Sequence, residues 1–580
     1  MAAGDTHVQS AVHSLDQGRF AFFIKVGMIS MLIIALTLLY LFVHFRGLDN
    51  SSAMDQAQIA RNIAAGKGFS TGYIRPLALG VIQGRPGSEE TVDVDRFPDF
   101  YQSPLNPWVN SWPLRLIKSE WKMKASEIIY AGDRTIAIVS TVFFLLSVGV
   151  WFFVVRRLFD EKLAIYTCAA VLLTDLMWAF SLSGLPQMLM LFLFSLACLA
   201  TVLAMEAQSS ERPSLTIGWL VAAGAILGLM TLAHGLAFWL FLGWLFFSAI
   251  YFQPRGIAAL AALAAFALLV TPWMVRNYQV CGNPFGLAVY GAFYGVSPEI
   301  SYLREPSIKL SGSGTSLQGK ARATILNQVG NIAPFLGLNV VAGAFFFALL
   351  HPFRSRKTSM FKWCIAAMWV SVVLGMAFYQ ASGAVSENQL YVLFIPLFVA
   401  YGMAFLLVLW NRLELGAPIL RIAFISFLLF LCAIPMLLRI FGGAGHRLQW
   451  PPYVPPVIGA LGDWFTEDEI IASDMPWAVA WYAGRNSLLL PTSVNEFNRL
   501  HDYRVTSQPI CGLYLTPVSG NSPLFSGIYN GAYKEWARLI TRPPETKGFP
   551  FTAVTPLPIG GECIIFADRP RWNERKEPES

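Results

Sequence analysis

Arg134-Thr-Ile-Ala-Ile-Val-Ser-Thr-Val-Phe-Phe-Leu-Leu-Ser-Val-Gly-Val-Trp-Phe-Phe-Val-Val155 carries no charge after its first residue and is followed at once by Arg156 and Arg157. About 20 apolar residues is what a helix needs to cross the hydrocarbon of a bilayer. Scanning outward gives about eleven such segments: Ala21 to His44, Arg134 to Val155, Leu163 to Phe180, Met188 to Met205, Ile217 to Leu232, Leu236 to Phe252, Ile257 to Met274, Ala333 to Leu350, Phe361 to Tyr379, Leu390 to Trp410 and Leu420 to Ile440. Over 580 residues, 55% are hydrophobic and only 13% charged, which places the chain far outside soluble averages. The expected fold class is an α-helical polytopic membrane protein. The first span is too long for a signal-peptide core and lacks a small-residue cleavage site, so it reads as a retained anchor.

The formal charge of +7 does not indicate a nucleic-acid partner, because the basic residues sit in short loops and form no arginine-rich face. Alternate loops carry Arg156, Arg157 and Lys162; Arg212; Arg255; Arg354, Arg356, Lys357 and Lys362; and Arg412 with Arg421, whereas the loops near Gly184, His234 and Gly383 carry none. The basic set is cytoplasmic by the positive-inside rule. That puts the amino terminus inside, the carboxyl terminus outside, and three larger segments on the outer face: 46–133, 276–332 and everything after Phe441.

A transmembrane domain is therefore expected over 1–440, a proline-rich linker over 441–456, and a small α/β domain over 457–580. In the last, Glu469 to Asp474, Ser487 to Leu490, Cys511 to Thr516 and Glu562 to Ala567 read as strands. Pro476 to Ala483, Glu496 to Tyr503 and Tyr533 to Ile540 read as helices. Four of the seven cysteines lie in apolar stretches, and no metal-ligand spacing occurs. Cys511 and Cys563 fall on the outer side, where a disulfide between them is possible.

Directly after the first span comes a short polar helix with one carboxylate near its start, Asp55. Ser52 fits its N-cap and Asp55 its third position, where an acid completes a capping box. The same acid at the membrane surface suits a general base taking a proton from an attacking hydroxyl or amine. Lys67, Arg75, Arg85 and Arg276 are cations at that surface, able to meet an anionic group through an Arg fork or a Lys point charge; Arg276 also reads as a snorkelling anchor. Asp99 is a second acid in the loop or a turn cap after Pro98. His234 lies in an outer turn, and Asp175 lies near the outer end of an apolar span.

Met54-Asp-Gln-Ala-Gln-Ile-Ala-Arg-Asn-Ile-Ala-Ala-Gly-Lys-Gly-Phe-Ser-Thr71, followed by Tyr73-Ile-Arg-Pro76, resembles the first outer loop of GT-C glycosyltransferases that use polyprenyl-phosphate sugars, such as protein O-mannosyltransferases and lipid A aminoarabinose transferases. Pro98-Asp-Phe-Tyr-Gln-Ser-Pro-Leu-Asn-Pro107, Ser181-Leu-Ser-Gly-Leu-Pro186 and Thr271-Pro-Trp-Met-Val-Arg-Asn-Tyr-Gln-Val-Cys-Gly-Asn-Pro-Phe285 follow in the family's order. The resemblance covers roughly the first 400 residues. It implies that Asp55 is the catalytic acid and that Asp99, Lys67, Arg75, Arg85, Arg276, Asn277, His234 and Glu387 bind substrate. Gln56 and Gln187 stand where many relatives carry Glu, and His234 stands near a common Arg.

Ala384-Val-Ser-Glu387 is similar to a metal-binding motif of oligosaccharyltransferases, but relatives with single-sugar donors usually manage without metal, so neither metal nor cofactor is expected. The implied reaction is inverting transfer from a polyprenyl-phosphate sugar to a lipid, protein or polysaccharide acceptor at the outer face of a bacterial inner membrane. The alternative is an oligosaccharide transferase or polymer ligase of the same fold. A transporter, which would show internal repeats and midplane charges, ranks below both.

Overall fold

The computed structural model describes residues 19–85, 91–118, 121–123, 127–294, 302–307, 317–414, 418–442, 454–517, 529, 533–541, 549–556 and 563–573. The chain divides into two compact units, Met1–Arg46 and Gly47–Ser580. The first contains the helix Arg19–Leu38, which runs on as a π-helix through Leu39–His44.

Among the described residues of the second unit, seven helices are long and apolar enough to cross a membrane: Ala131–Leu158, Gln187–Ser209, Pro213–Ala233, Ile257–Cys281, Arg356–Phe378, Tyr391–Arg412 and Pro418–Phe441. The chain is an integral membrane protein. Gln187–Ser209 and Tyr391–Arg412 form the centre, with 78% of each apolar window buried, whereas Ile257–Cys281 and Pro418–Phe441, at 28%, lie at the periphery.

Three of the expected spans take other forms. Leu163 to Phe180 is a pair of helices, Glu161–Leu172 and Asp175–Ser183, bent by 60°. Thr174 at the break donates its hydroxyl to Ala170 O at 2.8 Å, and Asp175 pairs with Arg439 at 3.4 Å. Asp175 thus serves a helix start. Ala333 to Leu350 falls into Ile332–Phe335, Val340–Gly343 and Phe345–Ala348. Gly337 reverses the chain there at φ +69°, and the Asn339 side chain caps the next helix at Ala342 N, 3.1 Å away. Leu236 to Phe252 is the 15-residue helix Ala237–Tyr251, roughly 22 Å long and short of a 30 Å core.

The carboxyl-terminal strands and one strand of the first large loop form a six-stranded sheet. Its strands are β1 (Tyr73–Ile74), β2 (Ile470–Ser473), β3 (Asn486–Leu489), β4 (Ile510–Leu515), β5 (Ala553–Pro556) and β6 (Ile564–Ala567), in the order β1-β3-β2-β4-β6-β5. The first four are parallel, and β6 and β5 close the far edge antiparallel. The edge strand β1 belongs to the first large loop: Tyr73 pairs with Ser487 and Ile74 with Leu488. That loop and the carboxyl-terminal segment are thereby one layer. All of β2 is buried, as a parallel strand covered on both faces should be. Most of the expected linker lies outside the described residues; Pro455 and Pro456 open the helix Pro455–Trp464.

None of the seven cysteines is in a disulfide. Gly512 pairs with Ala567 and Leu515 with Ile564, so Cys511 and Cys563 lie at opposite ends of the ladder. At about 3.4 Å per residue they are much too far apart to form the considered disulfide.

A second tie joins the carboxyl-terminal segment to the membrane helices. Asp133, in the first turn of Ala131–Leu158, is 1% exposed. It accepts from Trp481 Nε1 at 2.6 Å and Tyr482 Oη at 2.9 Å. Asp133→Ala leaves two buried donors without their acceptor, a loss of about 2 to 4 kcal/mol. Thermal unfolding in detergent, followed by tryptophan fluorescence, is expected to show a clearly lowered midpoint; a native midpoint would refute the tie.

Candidate active site

The helix carrying Asp55 spans Ser51–Ala64, and its N-cap is Asn50, whose side chain accepts from Ser52 N at 3.0 Å. The expected capping box from Ser52 to Asp55 is therefore absent. Asp55 sits more than a turn inside the helix and has other partners. Arg75 donates Nη2 to Asp55 Oδ2 and Nη1 to Asp99 Oδ2 at 2.9 Å. One guanidinium thus holds two carboxylates, and none of the three side chains is more than 2% exposed.

Local sequence explains this placement. Gly66 and Gly68, at φ +81° and +72°, turn the chain back after the helix. Arg75 precedes Pro76 and is extended as that position requires. Its guanidinium lies between the rings of Tyr73 and Tyr101, 3.9 and 4.5 Å from their centroids. Asp99 caps a turn, as one of its two readings had it, and pairs with Arg75 as well. Its Oδ1 accepts from Tyr101 N at 3.0 Å and Gln102 N at 2.7 Å as a turn cap, while Oδ2 meets Arg75.

Two glutamines complete the shell of Asp55: Gln58 Nε2 reaches Oδ1 at 3.1 Å and Gln102 Nε2 reaches Oδ2 at 2.7 Å. Burial raises the Asp55 carboxyl above the ordinary carboxylate range, against the pull of Arg75. Burial also acts to weaken the proton on Arg75, but Asp55 and Asp99 outweigh it and hold the guanidinium charged.

Beside this cluster lies a cavity of about 590 Å³, walled by apolar groups such as Phe238, Trp239, Phe266 and Phe378. Its polar lining includes Gln102, His234, Asn277 and Glu387, and no Lys or Arg among the described residues lines it. Asp55, Asp99, Arg75 and Arg276, which the resemblance implies act on one substrate, do not line it. Instead these four are joined by direct contacts behind Tyr101 and Gln102, which alone of the cluster face the cavity.

Arg276 donates to the Asp99 and Phe69 carbonyls and to Asn277 Oδ1, stacks over Trp273, and makes no ion pair among the described residues. Two of the other anticipated cations stand apart. Lys67 is exposed on the glycine turn. Arg85 binds the carbonyls of Gln279 and Val280 at the end of Ile257–Cys281. Arg75 is already matched by two acids. Sequence reasoning missed Gln58 and Gln102, because a neutral amide has no spacing signal until its partner is known.

His234 and Glu387 face each other at 3.9 Å. Burial lowers His234 to about 4 and raises Glu387 to about 7, so at neutral pH the histidine is uncharged. Gln187 holds the Glu387 loop by donating to the Ser386 and Glu387 carbonyls at 3.1 and 2.6 Å. No group of three or more metal-ligating side chains converges among the described residues.

A carboxyl whose folded pKa lies above its unfolded one binds its proton more tightly in the folded state, so stability is lost as pH rises through that interval. For Glu387 the interval runs from 4.5 to about 7. The melting midpoint of Glu387→Gln is expected to fall less than that of the native protein between pH 5 and 8. Parallel pH curves would refute the shift.

No known family model matches the sequence, and no curated protein matches it. Solved structures do. ArnT from Cupriavidus metallidurans in the apo state matches with a TM-score of 0.54 at 13% identity, covering 94% of this chain and 98% of that one. The same protein bound to undecaprenyl phosphate gives 0.55 at 13%, with 94% and 99% covered. The Archaeoglobus fulgidus oligosaccharyltransferase tethered with an acceptor peptide containing the NVT sequon gives 0.50 at 10%, with 90% and 72% covered. Together with the helix set and the small sheet, these likenesses identify the fold of this chain as that of the GT-C membrane glycosyltransferases.

Proposed function

We propose that the protein is a membrane glycosyltransferase that moves a sugar from a polyprenyl-phosphate donor to a hydroxyl or amine of a lipid, protein or polysaccharide acceptor. The observation that carries this reading is a buried carboxylate, Asp55, with a raised pKa and one side chain separating it from a large apolar cavity. The apolar wall suits an isoprenoid chain, and a structure of the same fold is one bound to undecaprenyl phosphate.

In the proposed reaction the acceptor attacks the anomeric carbon while Asp55 takes its proton. The bond from that carbon to the phosphate oxygen breaks, and polyprenyl phosphate leaves with the electron pair. A single displacement inverts the centre. Arg276, whose hydrogen-bond acceptors among the described residues are all neutral carbonyl oxygens, is the cation for the phosphate, with Asn277 beside it. His234 and Glu387, which line the cavity, would meet the sugar. Charge in the short loops supports placement of the site at the outer face of a bacterial inner membrane.

Asp55→Asn keeps the shape of the side chain and leaves Arg75 paired with Asp99. Transfer from radiolabelled undecaprenyl-phosphate sugars to a membrane-lipid extract is expected to fall by about 10²- to 10⁴-fold, the usual worth of a general base, with little change in melting midpoint. Native-rate transfer by this variant would refute the assignment.

A further inference from the structure

Three donors occupy the two oxygens of Asp55: Gln58 on Oδ1, and Arg75 and Gln102 on Oδ2. Asp55 is only 2% exposed, yet a general base must come within hydrogen-bond reach of the proton it takes. One donor therefore has to yield. Arg75 cannot, since its departure would leave two buried carboxylates uncompensated. Gln58 is held on both sides of its amide, by Thr71 Oγ1 at 2.6 Å and Gly72 N at 2.9 Å.

Gln102 differs from both. It alone of the three borders the cavity. Its other side-chain contact, to Ser52 Oγ, is long at 3.4 Å. Its backbone is anchored separately, through the bond from Gln102 N to Asp99 Oδ1, so the amide can swing while the chain stays in place.

Building on the assignment of Asp55 as base, we propose that the Gln102 side-chain amide is a displaceable stand-in for the acceptor. Its Nε2, 2.7 Å from Asp55 Oδ2, marks the point from which the nucleophilic O–H or N–H meets the base. Gln102 is a positioning residue: the incoming group replaces its N–H, so Asp55 exchanges one donor for another and is never left unsatisfied in a buried site. The acceptor's bond to the anomeric carbon then forms, the sugar–phosphate bond breaks, and the acceptor proton stays on Asp55.

While in place, the amide also favours ionised Asp55. Its removal lets burial raise the carboxyl further. The test uses full-length protein in lipid nanodiscs, comparing native, Gln102→Leu and Gln102→Glu. Sugar transfer from radiolabelled undecaprenyl-phosphate sugars to a membrane-lipid extract is followed against pH. Infrared titration of the Asp55 carboxyl, with Asp55→Asn as the blank, reads the same group whatever the sugar.

In Gln102→Leu both the acid limb of activity and the infrared midpoint are expected to move upward by about one pH unit, or tenfold in proton affinity, while KM for the acceptor does not rise. The shift should be larger in Gln102→Glu, which sets a like charge against Asp55 and keeps the native shape if the leucine variant fails to fold. Unmoved limbs and midpoints, with Asp55→Asn inactive, would overturn this proposal alone. Native transfer by Asp55→Asn would overturn the base assignment and this proposal together.

Discussion

The buried guanidinium of Arg75 is the constraint on which the site depends. It joins carboxylates from two distant parts of one loop, Asp55 and Asp99, in surroundings nearly closed to water. Ion groups in such surroundings lose several kcal/mol of hydration each, recovered only when their geometry and hydrogen bonding are complete. Here they largely are. The carboxylates accept from Gln58, Gln102 and two backbone amides besides Arg75, and two tyrosine rings flank the cation. Arg75 also follows β1 directly, so the register of Tyr73 and Ile74 against Ser487 and Leu488 fixes where the guanidinium stands. The position of the acids is thereby tied to the carboxyl-terminal sheet, more than 400 residues away in sequence.

The same helix is held at its other end. Arg61, near the close of Ser51–Ala64, donates to the Trp481 and Ala480 carbonyls and lies 5.1 Å from the Trp481 ring. Trp481 and Tyr482 in turn donate to Asp133 at the head of a membrane helix. Two polar clamps, at Arg75 and Arg61, hold about two turns of helix between a sheet and a bundle. A short helix of this composition has little stability by itself, so its rigidity is supplied by these tertiary ties. Asp474, expected as a strand-end residue, has a parallel structural role, accepting from Thr516 N and Oγ1 at 3.0 and 2.9 Å.

Local rules made much of this legible in advance. Long apolar runs identified the membrane helices, and β2, β3, β4 and β6 were visible as short apolar runs bounded by turn residues. What escaped was set by contacts remote in sequence. β1 is two residues long and is a strand only because β3 lies beside it. The broken spans at Thr174 and Gly337 have ordinary hydropathy; a positive-φ glycine and the local hydrogen bonds of Thr174 and Asn339 interrupt them. Charge reading marked Arg75 as a phosphate cation, since sequence gives the sign of a charge but not what already neutralises it. Two nearby acids take that charge up. Likewise the capping pattern of Ser52 and Asp55 was sound as a local rule and was overridden by Asn50, two residues earlier, which takes the cap and releases Asp55 for Arg75.

The division between the two arginines follows from their partners. Arg75 faces two carboxylates, so the trio carries a net charge of −1 when all are ionised; a further anion there would meet repulsion. Arg276 donates its hydrogen bonds only to carbonyl oxygens, and among the described residues no acid pairs with its charge. Under the proposed function, an incoming phosphate would be favoured at Arg276, on the helix whose Trp273 and Asn277 form part of the cavity wall. The surplus negative charge around Arg75 acts in the opposite sense, helping burial to keep the proton affinity of Asp55 high. One cation left unmatched and another matched twice would let a single small site hold an anionic leaving group beside a carboxylate basic enough to accept a proton.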